Sequence, residues 1–165
     1  MSEYSIRAAT SADSAAVRQL VTGVLNEFGF PLESAGTDAD LEDLGSSYIA
    51  RGGWFAILED SHGDPVGCVG LYPLSSSDGG RRTCELRKMY LRREARGHGH
   101  GRRLLKEAIS RALELGFEAV VLETASTLTD AIALYTRFGF QPYQSSHRSP
   151  RCDRSFRLEL SARSS

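Results

Sequence analysis

Arg96-Gly97-His98-Gly99-His100-Gly101 follows an apolar run, Cys84-Glu-Leu-Arg-Lys-Met-Tyr-Leu91, and opens directly into Arg102-Arg-Leu-Leu-Lys-Glu-Ala-Ile-Ser-Arg-Ala-Leu-Glu-Leu115. The first run has strand character, and the last repeats its apolar residues at helical spacing. A glycine-rich turn between a strand and a helix N-terminus is a physical device for holding phosphate. Glycine has no Cβ, so the backbone can take φ > 0 and come close to a ligand. The first N–H groups of the helix have no internal partner and sit at the positive end of its dipole. Arg92, Arg93, Arg96, Arg102 and Arg103 make the turn strongly basic. The stretch reads as a seat for a pyrophosphate.

Working outward, residues 5–10 read as a first strand, with Ser11 or Asp13 capping a helix that buries Ala16, Val17, Leu20, Val21, Val24 and Leu25. Residues 28–37, with Gly29, Pro31 and Gly36, are a loop. A second helix is expected from about Asp38 to Arg51, with Leu41, Leu44 and Tyr48 on one side. The runs 54–58 and 65–72 flank the polar turn 61–64 as a hairpin, and 75–80 is a flexible loop. After the phosphate turn, a helix to about Leu115 ends at Gly116. Strand 119–124, a helix from Asp130 to Phe138 closed by Gly139, and late strands 140–143 and 155–160 complete the chain. Strand, helix and strand in this order imply a right-handed parallel crossover. The expected fold is a mixed sheet with helices on its faces, in the α/β or α+β class, as one domain over residues 1–165.

Composition narrows the class. Hydrophobic residues at 41% and charged residues at 25% are those of a globular protein long enough to bury a core. No apolar stretch approaches the roughly 20 residues of a membrane span, and the N-terminus lacks a basic segment followed by an apolar one. Cys68, Cys84 and Cys152 are an odd number without Cys-x-x-Cys spacing, which points to reduced thiols and a cytoplasmic location. The net charge of −1 hides an asymmetry: residues 1–80 carry −9 and residues 81–165 carry +8. The second half suits a polyanion and the first could suit a cation, if both face one cleft. An aromatic-interleaved basic stripe is absent and the pI is about 6.4, so nucleic-acid binding is not expected.

The spacing Gly97-x-Gly99-x-Gly101 lacks the third glycine of a dinucleotide fingerprint, although Glu123 ends the next strand and keeps that reading open. A nucleotide P-loop fails because no Gly-Lys-Ser/Thr follows. Arg96-x-x-Gly99-x-Gly101, by contrast, closely resembles the signature of the GNAT superfamily of acyl-CoA N-acyltransferases. The surrounding Glu85-Leu-Arg-Lys-Met-Tyr-Leu91 and Glu94-Ala-Arg-Gly97 agree, and Ala131-Ile-Ala-Leu-Tyr-Thr-Arg-Phe-Gly-Phe140 looks like the family's second block. With specific motifs the resemblance covers roughly residues 53–145.

The resemblance implies a mostly antiparallel mixed sheet whose central parallel strands, 84–91 and 119–124, splay apart around the acyl donor. It implies an N-acetyltransferase using acetyl-CoA as co-substrate, with direct transfer to a primary amine of a small molecule or peptide. The backbones of Met89, Tyr90 and Leu91 would pair with pantetheine amides as an added strand does. The N–H groups of Arg96, Gly97, His98, Gly99, His100, Gly101 and Arg102 would hold the pyrophosphate. Tyr135 matches the family tyrosine that protonates the departing thiolate, or is a core residue with its hydroxyl capped. Glu85, in the strand beside the acyl group, could take a proton from the ammonium through water, or pair with Arg87 or Lys88. Leu128 stands where many members carry asparagine, so the resemblance leaves its polar contact to Thr124, Thr127 or Thr129, or leaves it absent.

Other residues add less. His98 and His100 have no carboxylate or cysteine at ligand spacing, so no metal site is expected, and they would lend N–H groups and occasional charge near phosphate. Cys84 reads as packing. His147, near Arg148 and Arg151, could line the acceptor end, and Glu33, Asp38, Asp40, Glu42 and Asp43 could favour a cationic acceptor. Residues 26–51 and 144–154 would set acceptor identity, which the sequence leaves open, as it does oligomeric state, though dimers are common in similar proteins. The rival reading is a non-catalytic acyl-CoA-binding sensor module with no chemistry at Tyr135.

Overall fold

In the computed structural model, which describes residues 3–75, 81–145 and 151–160, the chain forms a mixed sheet with helices on both faces. Strand β1 (Ser5–Ala8) leads through a turn at Ser11–Asp13 into α1 (Ser14–Glu27). The hairpin β2 (Trp54–Glu59) and β3 (Pro65–Pro73) follows, then β4 (Thr83–Leu91) and α2 (His100–Glu114). Strand β5 (Ala119–Thr124), α3 (Thr129–Arg137), β6 (Gln141–Pro142) and β7 (Arg154–Glu159) complete it. Among the described residues the sheet order is β1-β2-β3-β4-β5-β7-β6. Every adjacent pair is antiparallel except β4 and β5, as the crossover through α2 requires.

Period-two alternation in the hairpin sorts the core into two layers. Phe55, Ile57 and Cys68 face Val17, Leu20, Val21, Val24 and Leu25 of α1. Trp54, Ala56, Leu58, Val69 and Leu71 face Leu104, Leu105 and Ala108 of α2. Each fully buried apolar side chain contributes roughly 1.5–3 kcal/mol, so the two faces together hold the helices against the sheet. Helix α2 ends as expected at Gly116, whose φ of 87° lets Phe117 N–H reach the Ala112 carbonyl at 3.0 Å. Gly139 ends α3 in the same way, with φ 96°.

The expected second helix is replaced by two single turns, a 3₁₀ turn at Ala39–Leu41 and a π-type turn at Gly45–Ile49. Leu41, Leu44 and Tyr48 are buried as their spacing indicated, but Asp38 and Asp40 are buried too. A helix with one apolar stripe cannot turn those carboxylates inward as well. The Ser14 hydroxyl takes the Leu44 N–H at 3.0 Å, and Ser11 donates to Asp43, which draws the backbone toward α1. Asp13 stands at the N-cap position of α1 as expected, though without a side-chain cap bond; Thr10 caps the preceding 3₁₀ turn, and Asp13 returns that bond by accepting the Thr10 N–H at 2.9 Å. The late strand at 140–143 shrinks to Gln141–Pro142.

Gly70 in β3 is where Phe55 and Tyr48, in the layer that packs on α1, leave no room. A Cβ there would sit 2.6 Å from Phe55 Cδ2 and 2.8 Å from Tyr48 Cε1. Gly70→Ala should cost about 1–3 kcal/mol by overpacking and lower the melting temperature by roughly 3–10 °C. An unchanged calorimetric melting temperature would contradict that packing.

Candidate functional site

Strands β4 and β5 pair only at Thr83–Ala119, Cys84–Val120 and Glu85–Val121, and then part. Beyond this point β5 is held on its far side by Phe156, Ser155 and Arg154 of β7, while β4 continues beside β3. A bulge in β4 sharpens the divergence: the register with β3 moves from Cys68–Tyr90 to Gly70–Arg87, which leaves one extra residue in β4. Lys88 sits in the bulge at φ 56°, alone among the described non-glycine residues in having a positive φ. Such a conformation costs of order 1–3 kcal/mol and persists only where the surroundings impose it.

The bulge aims backbone groups into the gap. The Lys88 carbonyl accepts the Cys68 thiol at 3.1 Å on the β3 side. In a trans peptide the next N–H points the opposite way, so Met89 N–H is directed into the gap. The Tyr90 carbonyl lies toward Gly67 of β3, 3.2 Å from where a Cβ would be, so Leu91 N–H also faces the gap. Tyr90 itself pairs with Cys68 across β3, so its main chain is turned away from the gap, unlike those of Met89 and Leu91.

The gap opens into a cavity of about 800 Å³. Glu85, Met89 and Tyr90 line it from β4, Glu123 and Thr124 from β5, and Leu128, Ala131 and Tyr135 from α3 and the turn before it. Thr124 is buried, and its carbonyl accepts the Asp153 N–H at 3.1 Å, which ties the end of β5 to the segment before β7. Tyr135 is 5% exposed and packs against Phe140 and Phe156, yet its hydroxyl has no hydrogen-bond partner among the described residues. Burial, with Tyr90 and Cys152 beside it, raises the phenol pKa well above its ordinary value. Glu85 Oε1 accepts Arg87 Nε at 2.7 Å, the pairing that was the alternative to a base role. Burial pushes the Cys84 thiol up to about 12, consistent with packing.

Where β4 ends, the glycine turn begins. Gly97 and Gly99 have φ of 80° and 82°, and Gly99 is the N-cap of α2. Among the described residues the N–H groups of Gly97 through Arg102 donate to no backbone carbonyl, whereas Arg103 N–H already bonds Gly99 at 3.1 Å. This run of unpartnered donors at a helix start is an anion-binding nest. Arg96 departs from expectation. Its N–H donates to the Arg93 carbonyl at 3.1 Å, Nε to the Leu91 carbonyl at 3.0 Å, and its guanidinium grips Glu27 at 2.8 Å. It braces the turn against α1. His100 also departs: its ring packs on Tyr4 at 4.3 Å and contacts Arg103 through Nδ1 at 3.1 Å. Burial and the charge of Arg103 push its pKa below the ordinary histidine value, which disfavours a positive charge on this ring.

A buried ionic cluster, which sequence reasoning missed, lies behind the β4 bulge. Lys88 Nζ is 3.3 Å from Asp38 Oδ1 and donates to Asp40 Oδ2 at 3.2 Å and to the Thr37 carbonyl at 3.3 Å. Asp38 also accepts both terminal nitrogens of Arg151, at 3.0 and 2.7 Å, and the Glu33 N–H. Burial pushes the Asp38 carboxyl up, but Arg151, the Glu33 N–H and Lys88 together hold it below the usual carboxylate range. Tyr48 donates to Asp40, and Arg87 lies over the Tyr72 ring at 3.8 Å. None of Glu33, Asp38, Asp40, Glu42 and Asp43 lines the cavity. Asp38 and Asp40 are paired with the protein's own cations, Lys88 and Arg151. His147 lies outside the described residues. Among the described residues no group of three or more His, Cys, Asp or Glu side chains could hold a metal, and no helix is long and apolar enough to cross a membrane.

Comparison with known proteins bears on this geometry. The model of the acetyltransferase (GNAT) family matches residues 21–140. An uncharacterized N-acetyltransferase of Schizosaccharomyces pombe is 35% identical over 133 residues, covering 81% of this chain and 79% of that protein. One from Escherichia coli is 35% identical over 138 residues, covering 82% and 81%. A Staphylococcus aureus GNAT acetyltransferase structure superposes with a TM-score of 0.85 at 21% identity, over 95% of this chain and 99% of that one. A Salmonella typhimurium protein solved with its cofactor acetyl-CoA superposes with a TM-score of 0.76 at 22% identity, over 99% and 97%. The splayed parallel pair, the nest at the start of α2 and these matches lead to one conclusion: the chain belongs to the GNAT family of acetyltransferases.

Proposed function

We propose that this N-acetyltransferase, whose co-substrate is acetyl-CoA, moves the acetyl group directly to a primary amine of a small molecule or peptide bound in the cavity beside Glu85 and Tyr135. The observation that supports the reading is the succession of backbone donors, from the Met89 and Leu91 N–H groups directed toward the gap to the unpartnered N–H groups of Gly97–Arg102 in the turn. They run along one edge, as an extended thioester carrier with a diphosphate at one end requires. Thr124, buried on the facing strand, is the polar side chain that serves the carrier where Leu128 offers only an apolar surface.

Catalysis in this reading comes first from proximity, since donor and amine share one cleft. Backbone N–H groups of β4 stabilise negative charge on the thioester oxygen as the carbon–nitrogen bond forms. As the carbon–sulfur bond breaks, Tyr135 gives its proton to the departing sulfur. The proton lost by the nitrogen leaves through water toward Glu85, which faces the cavity while paired with Arg87. The net change moves one proton from nitrogen to sulfur, and the solvent restores the tyrosine.

The turn and the tyrosine can be tested separately. Gly101 has its Cβ position at 3.5 Å from Leu134 and 3.7 Å from Leu91, ordinary contacts, whereas Gly99 is left-handed at φ 82°. Gly99→Ala should cost about 1–2 kcal/mol of stability and Gly101→Ala none, while calorimetry should show both weakening coenzyme A binding. Undiminished affinity in both would remove the diphosphate from the turn. Tyr135→Phe should keep coenzyme A affinity and lose roughly 100-fold or more in kcat. In the parent enzyme the acid form is the active one and its pKa lies above the ordinary 10.0. The rate should therefore rise with pH as the amine sheds its proton and show no descending limb below pH 10. Wild-type turnover by the phenylalanine variant, or an earlier descending limb, would overturn the acid role.

A further inference from the structure

We propose that Lys88 is a positioning residue for acyl transfer: its ammonium, tethered between Asp38 and Asp40, locks the β4 bulge so that Met89 N–H meets the carbonyl oxygen of the bound thioester. The inference rests on the reading that the thioester lies in the gap beside β4, and adds what holds the donor in place.

A left-handed residue at the start of a bulge is ordinarily glycine, which adopts φ > 0 without steric conflict. Lysine at φ 56° does not relax there by itself. Two restraints act on this one residue, one through its carbonyl and one through its side chain. Its carbonyl is held toward β3 by the Cys68 thiol at 3.1 Å. Its side chain, 4% exposed, is held toward the early loop by carboxylates that are 0% and 5% exposed, at 3.3 Å from Asp38 Oδ1 and 3.1 Å from Asp40 Oδ1. The peptide plane between Lys88 and Met89 is thereby restrained through its carbonyl and through the Cα that carries the tethered side chain, and the planar amide carries Met89 N–H with it. The carboxylates are anchored independently: Asp38 by Arg151 at 2.7 Å and by the Glu33 N–H at 2.9 Å, Asp40 by the Tyr48 hydroxyl. Removing one partner of such a cluster leaves a buried charge, so the tether holds a geometry even where it adds little net stability.

The test is a charge-balanced pair of variants. Asp40→Asn with Lys88→Met removes one negative and one positive charge and the tether. Asp40→Asn with Lys88→Gly does the same but lets the bulge take its left-handed torsion freely. Acetyl-CoA affinity and the amine KM should stay within about threefold of the parent for both, while kcat falls roughly 10–100-fold with methionine. Glycine should recover several-fold of that loss, which a merely structural role for lysine would not produce. Infrared spectra of bound acetyl-CoA carrying a 13C carbonyl supply a readout without turnover. The carbonyl band should move to lower frequency on the parent enzyme, return toward its free position with methionine and move down again with glycine. An unshifted band on parent enzyme that binds acetyl-CoA overturns the inference, and this measurement needs no variant to fold. Equal kcat and equal band position in the parent and the methionine variant overturn it as well, as does a glycine variant no faster than methionine. Failure of the parent to bind acetyl-CoA at all overturns the donor assignment beneath it.

Discussion

The structure depends on one interruption of hydrogen bonding. β4 and β5 share three residue pairs and separate, each remaining fastened to its other neighbour. Buried peptide groups need partners, and a sheet that opens at its centre leaves a row of them facing a cavity of about 800 Å³. The cavity, the exposed donors and the helix start at His100 are consequences of that one parting. A ligand with amides along its length and a diphosphate at its end satisfies what the sheet leaves open.

The charge asymmetry of the chain finds its explanation in the same place. The two oppositely charged halves meet inside the protein. Asp38 and Asp40 from the early loop compensate Lys88 and Arg151, and Glu27 of α1 takes Arg93 and Arg96 from the turn beyond β4. Exposed pairs of the second kind contribute little energy, about 0–1 kcal/mol each, but Arg96 also bonds the Leu91 carbonyl, so it fixes where the strand ends and the nest begins. The buried pairs matter for specificity of arrangement more than for stability. They join the early loop, the β4 bulge and the segment before β7, each of which contributes residues to the wall of the cavity.

Much of this was legible in the residues. The runs 54–58 and 65–72 and the polar turn between them placed the hairpin, which the structure extends by one residue at the end of each strand. The glycines at 97, 99, 116 and 139 marked turns whose positive φ the structure shows. The early loop was not legible, because Leu41, Leu44 and Tyr48 have helical spacing while the cationic partners of Asp38 and Asp40, Arg87, Lys88 and Arg151, come from strands and segments far along the chain. Nor was the bulge: no glycine marks it, since lysine occupies its left-handed position through contacts that only the tertiary fold brings together. The same bulge turned the Tyr90 backbone away from the gap, and a local turn consumed the Arg96 N–H, so two of the donors that the family resemblance implied are taken.

The most direct measurement of the central claim is an amide-resolved NMR titration with coenzyme A. The account predicts downfield shifts of the Gly97–Arg102 amide protons as they gain phosphate oxygens, accompanied by Met89 and Leu91, with Tyr90 and Arg96 amides moving far less. Shifts confined to other parts of the chain, with those amides unmoved at saturation, would contradict it.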